Sequence, residues 1–264
     1  MHRFYIAPEN WNPDALILRG LQAHHAREVL RMKRGERAVV FNGRGREITA
    51  EIVDLAKREI RLRKLQENQT PPLRARITLG QAIPKGKNMD LIVQKAVEIG
   101  AAEIAPLISE RTIVDLDKKE AEQKQERWQQ IAIEAAKQCG QNWVPQISTP
   151  QKLKEFFFVE ARVLMRSLPD AAETAATTPF DLRLIGSLQP DAIHLKKILA
   201  DYSAQHRDRA KSVLMMVGPE GDFTPAELAL AKSNGCLPIT LGPIILRVET
   251  AAIYCLSVLS YELM

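Results

Sequence analysis

Two segments near the carboxyl end of the sequence carry the residue types best suited to chemistry. In the first, the apolar run Val213–Val217 is followed by Gly218, Pro219, Glu220 and Gly221. A loop at the carboxyl end of a parallel strand is a common ligand site, and glycine lets its backbone approach a ligand closely. The pattern predicts a ligand-binding loop. A plain strand-to-helix turn is the alternative, because the segment is neither a Walker loop nor a GxGxxG motif.

The second segment places charge at the start of an apolar element. Leu241, Gly242 and Pro243 end another β-rich run, and Arg247 and Glu249 precede a hydrophobic helix. Two opposite charges at the entrance to an otherwise hydrophobic element are candidates for a functional site. The alternative is structural, since opposite charges at a helix start also cap the helix and pair with each other.

The sequence around these loops alternates between strand and helix patterns, which predicts an α/β fold with a mainly parallel sheet. Thr224, Pro225 and Glu227 have the spacing of a helix capping box. Residues 171–191 show no period and are interpreted as a connection. We expect strands at residues 75–82, 103–108, 162–165 and 212–217, and helices at residues 89–99 and before Gly140.

The first 72 residues follow a different pattern. Residues 37–41, 47–53 and 59–65 are short β-rich runs, and glycines between the first two permit a hairpin turn. One short helix is expected from His24 to Met32. Because residues 68–72 end in two prolines, we interpret them as a linker. The pattern predicts a small β-domain over residues 1–72 and a larger domain over residues 73–264.

The positive charge of the chain is concentrated in this first part. Residues 1–72 contain 14 Lys and Arg against 9 Asp and Glu, a net charge of +5, whereas residues 73–264 contain 23 of each. A local positive field attracts polyanions, so nucleic acid is the first partner to consider. An ordinary solvated basic surface is the alternative.

Composition excludes several other classes of protein. The chain has 264 residues with 45% hydrophobic residues, enough for a buried core. No apolar run approaches the roughly 18–20 residues of a membrane span, and the first residues lack a signal peptide, which indicates the cytoplasm. Because the three cysteines are odd in number and far apart, we expect neither a disulfide framework nor a metal site.

Several motifs resemble those of one known family, in order along nearly the whole chain. The C-terminal pair is GPEGDFTPAE at residues 218–227 and LGPIILRVETA at residues 241–251. Similar motifs stand at residues 2–5, 81–86, 94–100, 108–112 and 138–145. Together they resemble the ribosomal RNA small-subunit methyltransferase E family of the SPOUT superfamily.

The resemblance implies a PUA-like β-barrel followed by a SPOUT domain with a deep trefoil knot within about residues 212–264. It also implies S-adenosylmethionine as cofactor, pairing of two SPOUT domains as a homodimer, and 16S ribosomal RNA of the small subunit as partner. The methyl acceptor would be N3 of a uridine. Our hypothesis is that Arg247 stabilises negative charge on the uracil oxygens, while Glu249 either accepts the proton or holds Arg247.

The remaining site residues fall into two groups. Residues implied to bind the cofactor are Leu164, Leu168, Val217, Gly218, Pro219, Glu220, Gly221, Leu241, Gly242, Ile245, Leu246 and Thr250. Candidate RNA contacts are Arg3, Arg27, Arg31, Lys33, Arg34, Arg44, Arg46, Lys85 and Arg111.

Three residues depart from the family pattern. Asp222 replaces a usual glycine, and Ile244 and Trp143 each replace a common arginine. These changes leave room for a noncatalytic RNA-binding or ribosome-assembly protein of the same fold, or for a methyltransferase with another RNA target. A dinucleotide-dependent oxidoreductase is a weaker alternative, because no GxGxxG motif follows a first strand.

Overall fold

The computed structural model describes residues 1–112, 116–159 and 180–264, and the chain divides into two compact units. The first unit contains Met1–Pro72 and Ala132–Pro145, and the second contains Leu73–Ile131 and Gln146–Met264. The predicted domain of residues 1–72 therefore lacks a segment, Ala132–Pro145, that the structure groups with it.

A five-stranded sheet forms the first unit, with the strand order β1-β3-β4-β5-β2. Its strands are β1 (Arg3–Tyr5), β2 (Leu16–Arg19), β3 (Arg37–Phe41), β4 (Arg46–Leu55) and β5 (Glu59–Gln69). β1 pairs with β3 in parallel, and the other pairs are antiparallel. Alternate residues of β4, including Ile48 and Ile52, are buried in the core with Phe4 and Val40, as expected for a strand with one solvated face.

The turn between β3 and β4 uses the two predicted glycines. Gly43 and Gly45 have φ angles of +69° and +86°, which residues with a Cβ adopt at a cost. The side-chain oxygen of Asn42 accepts a hydrogen bond from the backbone N–H of Arg44 at 2.8 Å. A Cβ at Gly45 would lie 2.6 Å from the Thr70 carbonyl oxygen, so this turn requires glycine.

The helical segment of the first unit differs from the prediction. Helix α1 (Gly20–His24) continues into a π-helical turn at His25–Val29, whereas the sequence predicted one helix from His24 to Met32. The φ of Arg31 is +52°, a left-handed conformation that cannot continue a right-handed helix. The helical segment therefore lies earlier in the chain than predicted.

The second unit is built on an eight-stranded sheet with parallel pairing. Its strand order is β11-β13-β10-β12-β6-β7-β8, with β9 also paired to β7. The strands are β6 (Arg76–Ala82), β7 (Glu103–Ile108), β8 (Gln146–Ile147), β9 (Gln151–Lys152), β10 (Leu182–Gly186), β11 (Ile193–His194), β12 (Ser212–Val217) and β13 (Leu237–Thr240). The helices are α2 (Asn88–Ile99), α3 (Lys118–Cys139), α4 (Leu195–Gln205), α5 (Pro225–Ser233) and α6 (Val248–Leu263); the part of α3 from Ala132 onward belongs to the first unit.

Strand β12 lies at the centre of this sheet, between β10 and β6. Val213, Leu214, Met215 and Met216 are fully buried. A continuous apolar run is typical of a parallel strand that is covered on both faces. The predicted mainly parallel α/β sheet is confirmed, and the knot within residues 212–264 stays a prediction.

One strand lies where the sequence predicted a connection. β10 (Leu182–Gly186) falls inside residues 171–191 and pairs with both β12 and β13. Leu184 and Ile185 are fully buried, but five residues beside an alanine-, threonine- and proline-rich stretch are too few to show a period. The predicted strand at residues 162–165 lies outside the described residues.

Within the described ranges, none of the helices combines the length and the apolar character needed to cross a membrane.

Candidate functional site

Three neighbouring parallel strands of the second unit end at the same edge of the sheet. In the register of the sheet, Ile185 of β10 lies opposite Met216 of β12, and Gly186 lies opposite Ile239 of β13. The loops that follow these strands therefore start side by side. The carboxyl ends of adjacent parallel strands form the usual ligand crevice of α/β sheets.

A cavity of about 720 Å³ lies at this edge. Its volume falls within the roughly 300–1,000 Å³ that is typical of small-molecule sites. The predicted residues that line it are Val217, Gly218, Pro219, Glu220, Leu241, Gly242, Ile245, Leu246, Arg247 and Glu249. The structure thus brings the two glycine-proline loops together around one space.

Some predicted residues do not line this cavity. Gly221 lies in the loop after β12 and Thr250 in the first turn of α6, but neither lines the cavity among the described residues. Leu164 and Leu168 lie outside the described residues. Among the described residues, a third wall comes from the end of β10 and the loop after it, whose cavity-lining residues are Gly186, Ser187, Leu188, Gln189 and Ala192.

One weak signal in the sequence marks this third wall. Gly186 and Ser187 follow the apolar pair Leu184 and Ile185, which is the same strand-then-glycine pattern as in the other two loops. The backbone N–H of Ser187 donates to the Ile239 carbonyl at 3.0 Å. This bond ties the start of the third loop to β13.

The loop at residues 218–222 makes a tight turn above β12. The backbone N–H of Asp222 donates to the Pro219 carbonyl at 2.9 Å. A Cβ at Gly218 would lie 3.2 Å from the Phe223 ring, a distance that forces the neighbour to shift. Glycine at position 218 therefore permits this turn to pack closely on the buried Phe223.

Neighbouring loops hold this turn from three sides. The Glu220 carboxylate accepts a hydrogen bond from the backbone N–H of Lys85 at 2.9 Å. The Arg111 guanidinium donates to the Gly221 carbonyl oxygen. The Asp222 carboxylate accepts from the backbone N–H of Leu188 at 3.2 Å. Arg111, a predicted RNA contact, thus binds the loop itself, and Lys85 contributes its backbone while its side chain is exposed.

The buried carboxylate of Glu227 anchors helix α5 behind the same loop. The predicted capping box is confirmed, with Thr224 and Glu227 each bonded to the backbone of the other. The Glu227 carboxylate also accepts from the Ser109 hydroxyl at 3.2 Å and from the Glu110 backbone N–H at 2.9 Å. One side chain therefore fixes the start of α5 to the loop that carries Arg111.

The loop after β13 leads into helix α6 and carries the predicted catalytic residues. Gly242 has a φ of +128°, and Ile244 and Ile245 are each 75% exposed at the cavity wall. Arg247 occupies the N-cap position of α6. Its exposed side chain makes no hydrogen bond or ion pair with the residues that the structure describes, so its guanidinium is available to a substrate.

Glu249 has a different partner from the one proposed for it. Its carboxylate accepts a hydrogen bond from the Asn88 side-chain amide at 3.4 Å, and no ion pair joins it to Arg247 across the described part of the chain. A carboxylate in the first turn of a helix is stabilised by the helix dipole. Glu249 thus links the starts of α6 and α2.

The candidate RNA contacts of the first unit fall into two groups, those bound to other described residues of the protein and those that are not. Arg3 is ion-paired with Glu47 at 2.5 Å and donates to Asn142 at 2.6 Å, so its guanidinium is bound within the unit and its contact with RNA stays a prediction. Arg27 is bonded to Glu28 and to the Lys57 carbonyl, and Arg46 is paired with Glu67. Four exposed side chains have no hydrogen bond or ion pair to described residues, namely Arg31, Lys33, Arg34 and Arg44.

Comparison with known proteins identifies the family. Residues 71–260 match an RNA methyltransferase domain, and residues 18–65 match an RNA methyltransferase PUA domain. Ribosomal RNA small subunit methyltransferase E of Bacillus subtilis is 30% identical over 92% of this chain and 88% of its own length.

Two solved structures are similar over nearly the whole chain. A Neisseria gonorrhoeae ribosomal RNA small subunit methyltransferase E, bound to S-adenosylmethionine, has 32% identity and a TM-score of 0.78, covering 99% of this chain and 97% of that one. A Legionella pneumophila protein in complex with the same cofactor has 33% identity and a TM-score of 0.81, covering 98% and 96%. With its three-loop cavity and its PUA domain, the chain belongs to the ribosomal RNA small subunit methyltransferase E family.

Proposed function

We propose that this protein is an S-adenosylmethionine-dependent methyltransferase that acts in the cytoplasm on N3 of a uridine in 16S ribosomal RNA of the small subunit. One observation carries the proposal, namely that two glycine-proline loops and the loop after β10 line a single cavity of about 720 Å³. The family's activity, the cofactor bound to the Neisseria gonorrhoeae relative and the PUA domain agree with it.

The residues of the cavity suit an adenosine-bearing cofactor. Leu241, Ile245 and Leu246 supply apolar surface, while the backbone at Gly218 and Gly242 is free of a Cβ. Adenine needs hydrogen bonds at its edge and a dry slot rather than a charged clamp. When bound there, S-adenosylmethionine supplies an electrophilic methyl group.

The protein must promote loss of the proton from N3 of the acceptor uridine. The N3 position of uridine is a poor nucleophile until its proton leaves, and the resulting negative charge spreads onto the two uracil carbonyl oxygens. Arg247 at the cavity wall has an exposed guanidinium that can donate to those oxygens. Such a donor stabilises the anion without itself taking the proton.

Glu249 supports this arrangement through Asn88. Its hydrogen bond to that side chain fixes the first turn of α6, where Arg247 is the N-cap residue. We therefore assign Glu249 the role of positioning the first turn of α6. The alternative is that Glu249 itself accepts the N3 proton, and mutagenesis of Glu249 and Asn88 distinguishes the two roles.

We further propose that the active form is a homodimer that pairs through the second unit. Tyr254 and Tyr261 on α6 are 44% and 86% exposed, and they line a groove of about 600 Å³ with Leu195 and Leu199 of α4. Polar residues such as Lys196 and Glu262 also line the groove, and exposed aromatic side chains beside a groove of mixed character are typical of a subunit interface. Light scattering of the wild type and of Tyr261→Lys tests this, because a lysine there weakens an apolar interface.

The test of function measures product and binding separately. Small ribosomal subunits from cells that lack their own enzyme are incubated with the protein and S-adenosylmethionine, and the 16S RNA is then digested for mass spectrometry. We expect one additional methyl group on a uridine at N3. Titration calorimetry with S-adenosylhomocysteine reports binding without turnover, and an absence of binding would favour the noncatalytic RNA-binding alternative.

A further inference from the structure

Asp222 occupies a backbone conformation that favours glycine. Its φ is +62°, and among the described residues only Arg31 shares a positive φ without being glycine. Aspartate tolerates this region better than most residues, but glycine would adopt it at lower cost. The side chain at position 222 therefore needs a compensating interaction.

The carboxylate of Asp222 makes two such interactions. One oxygen accepts a hydrogen bond from the Phe223 backbone N–H at 2.8 Å, and the other accepts from the Leu188 backbone N–H at 3.2 Å. The first bond is local and shapes the turn. The second joins the loop after β12 to the loop after β10, which lies 34 residues earlier in the chain.

The second bond lies beyond the point where the two strands stop pairing. The β10–β12 register ends at Ile185 opposite Met216. Leu188 and Asp222 both line the 720 Å³ cavity, on the walls formed by these two loops. A hydrogen bond to a charged acceptor at this position sets how far the two walls stand apart.

We propose that Asp222 is a positioning residue that latches the Ser187–Gln189 loop to the Gly218–Asp222 loop and so preforms the cofactor cavity. The proposal rests on the cofactor-binding function proposed above, although the latch itself is a property of the ligand-free protein. A preformed wall lowers the cost of ordering a loop on binding. Where glycine stands at position 222, no side chain can make this bond.

The test compares Asp222→Gly and Asp222→Asn with the wild type. Glycine keeps the turn conformation and removes both acceptors, whereas asparagine retains one carbonyl oxygen and so can accept only one of the two N–H groups well. Asp201→Asn is the matched control, because its exposed carboxylate lies on α4, is paired with Lys197 at 2.9 Å and does not line the cavity.

Two readouts are measured for each variant. Hydrogen exchange of the ligand-free protein is followed at the Leu188 amide, and S-adenosylhomocysteine affinity is measured by calorimetry. We expect Asp222→Gly to accelerate Leu188 exchange at least tenfold and to weaken affinity about five- to tenfold. Asp222→Asn should lie between Asp222→Gly and the wild type, and the control should match the wild type.

The outcomes distinguish failure of the Asp222 latch from failure of the proposed cofactor-binding function. Unchanged Leu188 exchange in both Asp222 variants overturns the latch, and so does faster exchange with unchanged affinity, because the cavity then does not depend on it. If the wild type binds no S-adenosylhomocysteine, the proposed function fails, yet the exchange data still decide whether the latch exists. Circular dichroism identifies a misfolded glycine variant, in which case Asp222→Asn alone decides.

Discussion

The side-chain amide of Asn88, at the start of α2, donates a hydrogen bond to the carboxylate of Glu249, in the first turn of α6, at 3.4 Å. The two residues are 161 positions apart, and both line the candidate cofactor cavity. The bond orients Glu249 towards α2, while Arg247 remains exposed. Glu249 is therefore bound to Asn88, whereas the Arg247 side chain has no partner among the described residues, and separate roles can be tested.

Replacement of Arg247 by alanine should lower kcat on small ribosomal subunits about 10²- to 10³-fold, the loss seen when one donor to a developing anion is removed. Affinity for S-adenosylhomocysteine should stay within about twofold, because the proposed partner of Arg247 is the uracil and not the cofactor. Single-turnover kinetics and calorimetry measure the two effects. Full turnover in the alanine variant would show that Arg247 does not stabilise the reaction.

Glu249→Gln should reduce kcat/KM by about tenfold or less and keep the shape of its pH profile, because glutamine can still accept a hydrogen bond from Asn88. Asn88→Ala should give a loss of similar size. The pH dependence of kcat/KM for the three proteins is the measurement. If the glutamine variant loses the acidic limb of that profile while Asn88→Ala keeps it, Glu249 is the base instead.

Neutralising together the four candidate RNA contacts of the first unit that are exposed and unpaired among the described residues should weaken RNA binding mainly at low salt. Each lost phosphate contact should reduce the slope of log K against log salt by about 0.7–0.9. The variant combines Arg31→Gln, Lys33→Gln, Arg34→Gln and Arg44→Gln. Filter binding to 16S RNA over a range of salt concentrations gives the slope.

The control for that series is Arg61→Gln with Arg63→Gln. These arginines are already paired with Glu59 and Glu51 at 3.2 and 2.8 Å, so their loss should change the slope less. Equal slopes for the wild type and the four-residue variant would contradict RNA binding through this surface.

Glu227→Gln should lower the free energy of unfolding by about 1–3 kcal/mol, the usual range for losing hydrogen bonds to a buried charged acceptor. The carboxylate accepts from Ser109, Glu110 and Thr224, and glutamine provides only one acceptor oxygen. Urea denaturation compares this variant with Glu122→Gln on the exposed face of α3, which should stay within about 0.5 kcal/mol. Equal losses in both variants would remove Glu227 from its anchoring role.

The three free cysteines should differ strongly in reactivity. Cys139 is exposed, while Cys236 and Cys255 are buried, and burial raises the pKa of the Cys255 thiol to about 12. Since the thiolate is the reactive form, a disulfide reagent at pH 8 should modify Cys139 rapidly and Cys255 only after unfolding. Mass spectrometry of the labelled peptides identifies each site, and rapid labelling of Cys255 would mean that α6 opens readily.

The features that the sequence predicted are those set by short-range chemistry. Thr224 and Glu227 form their capping box because three residues suffice to define it, and the apolar run at residues 213–217 forms a buried central strand. Gly218 and Gly242 mark the two loops of the cavity. These patterns are local, so they can be recognised without knowing which distant segments of the chain are in contact.

The features that the sequence did not predict depend on distant partners. β10 is recognised as a strand only through its pairing with β12 and β13, so the third wall of the cavity was missed with it. Arg3 is a residue type that commonly contacts phosphate, yet its guanidinium is bound by Glu47 and Asn142. Arg111 binds the Gly221 carbonyl, a contact that the sequence did not predict, and its contact with RNA stays a prediction.

The segment Ala132–Pro145, which belongs to the first unit, has a practical consequence for studying that unit in isolation. Within that unit, Asn142 bonds to both Arg3 and Thr70, and the Trp143 indole donates to the Thr70 carbonyl at 3.0 Å. A fragment truncated after residue 72 would leave these groups without their partners. Its failure to fold or to hold RNA would then reflect an incomplete module, and any transplant of this PUA domain into another enzyme has to carry residues 132–145 along with it.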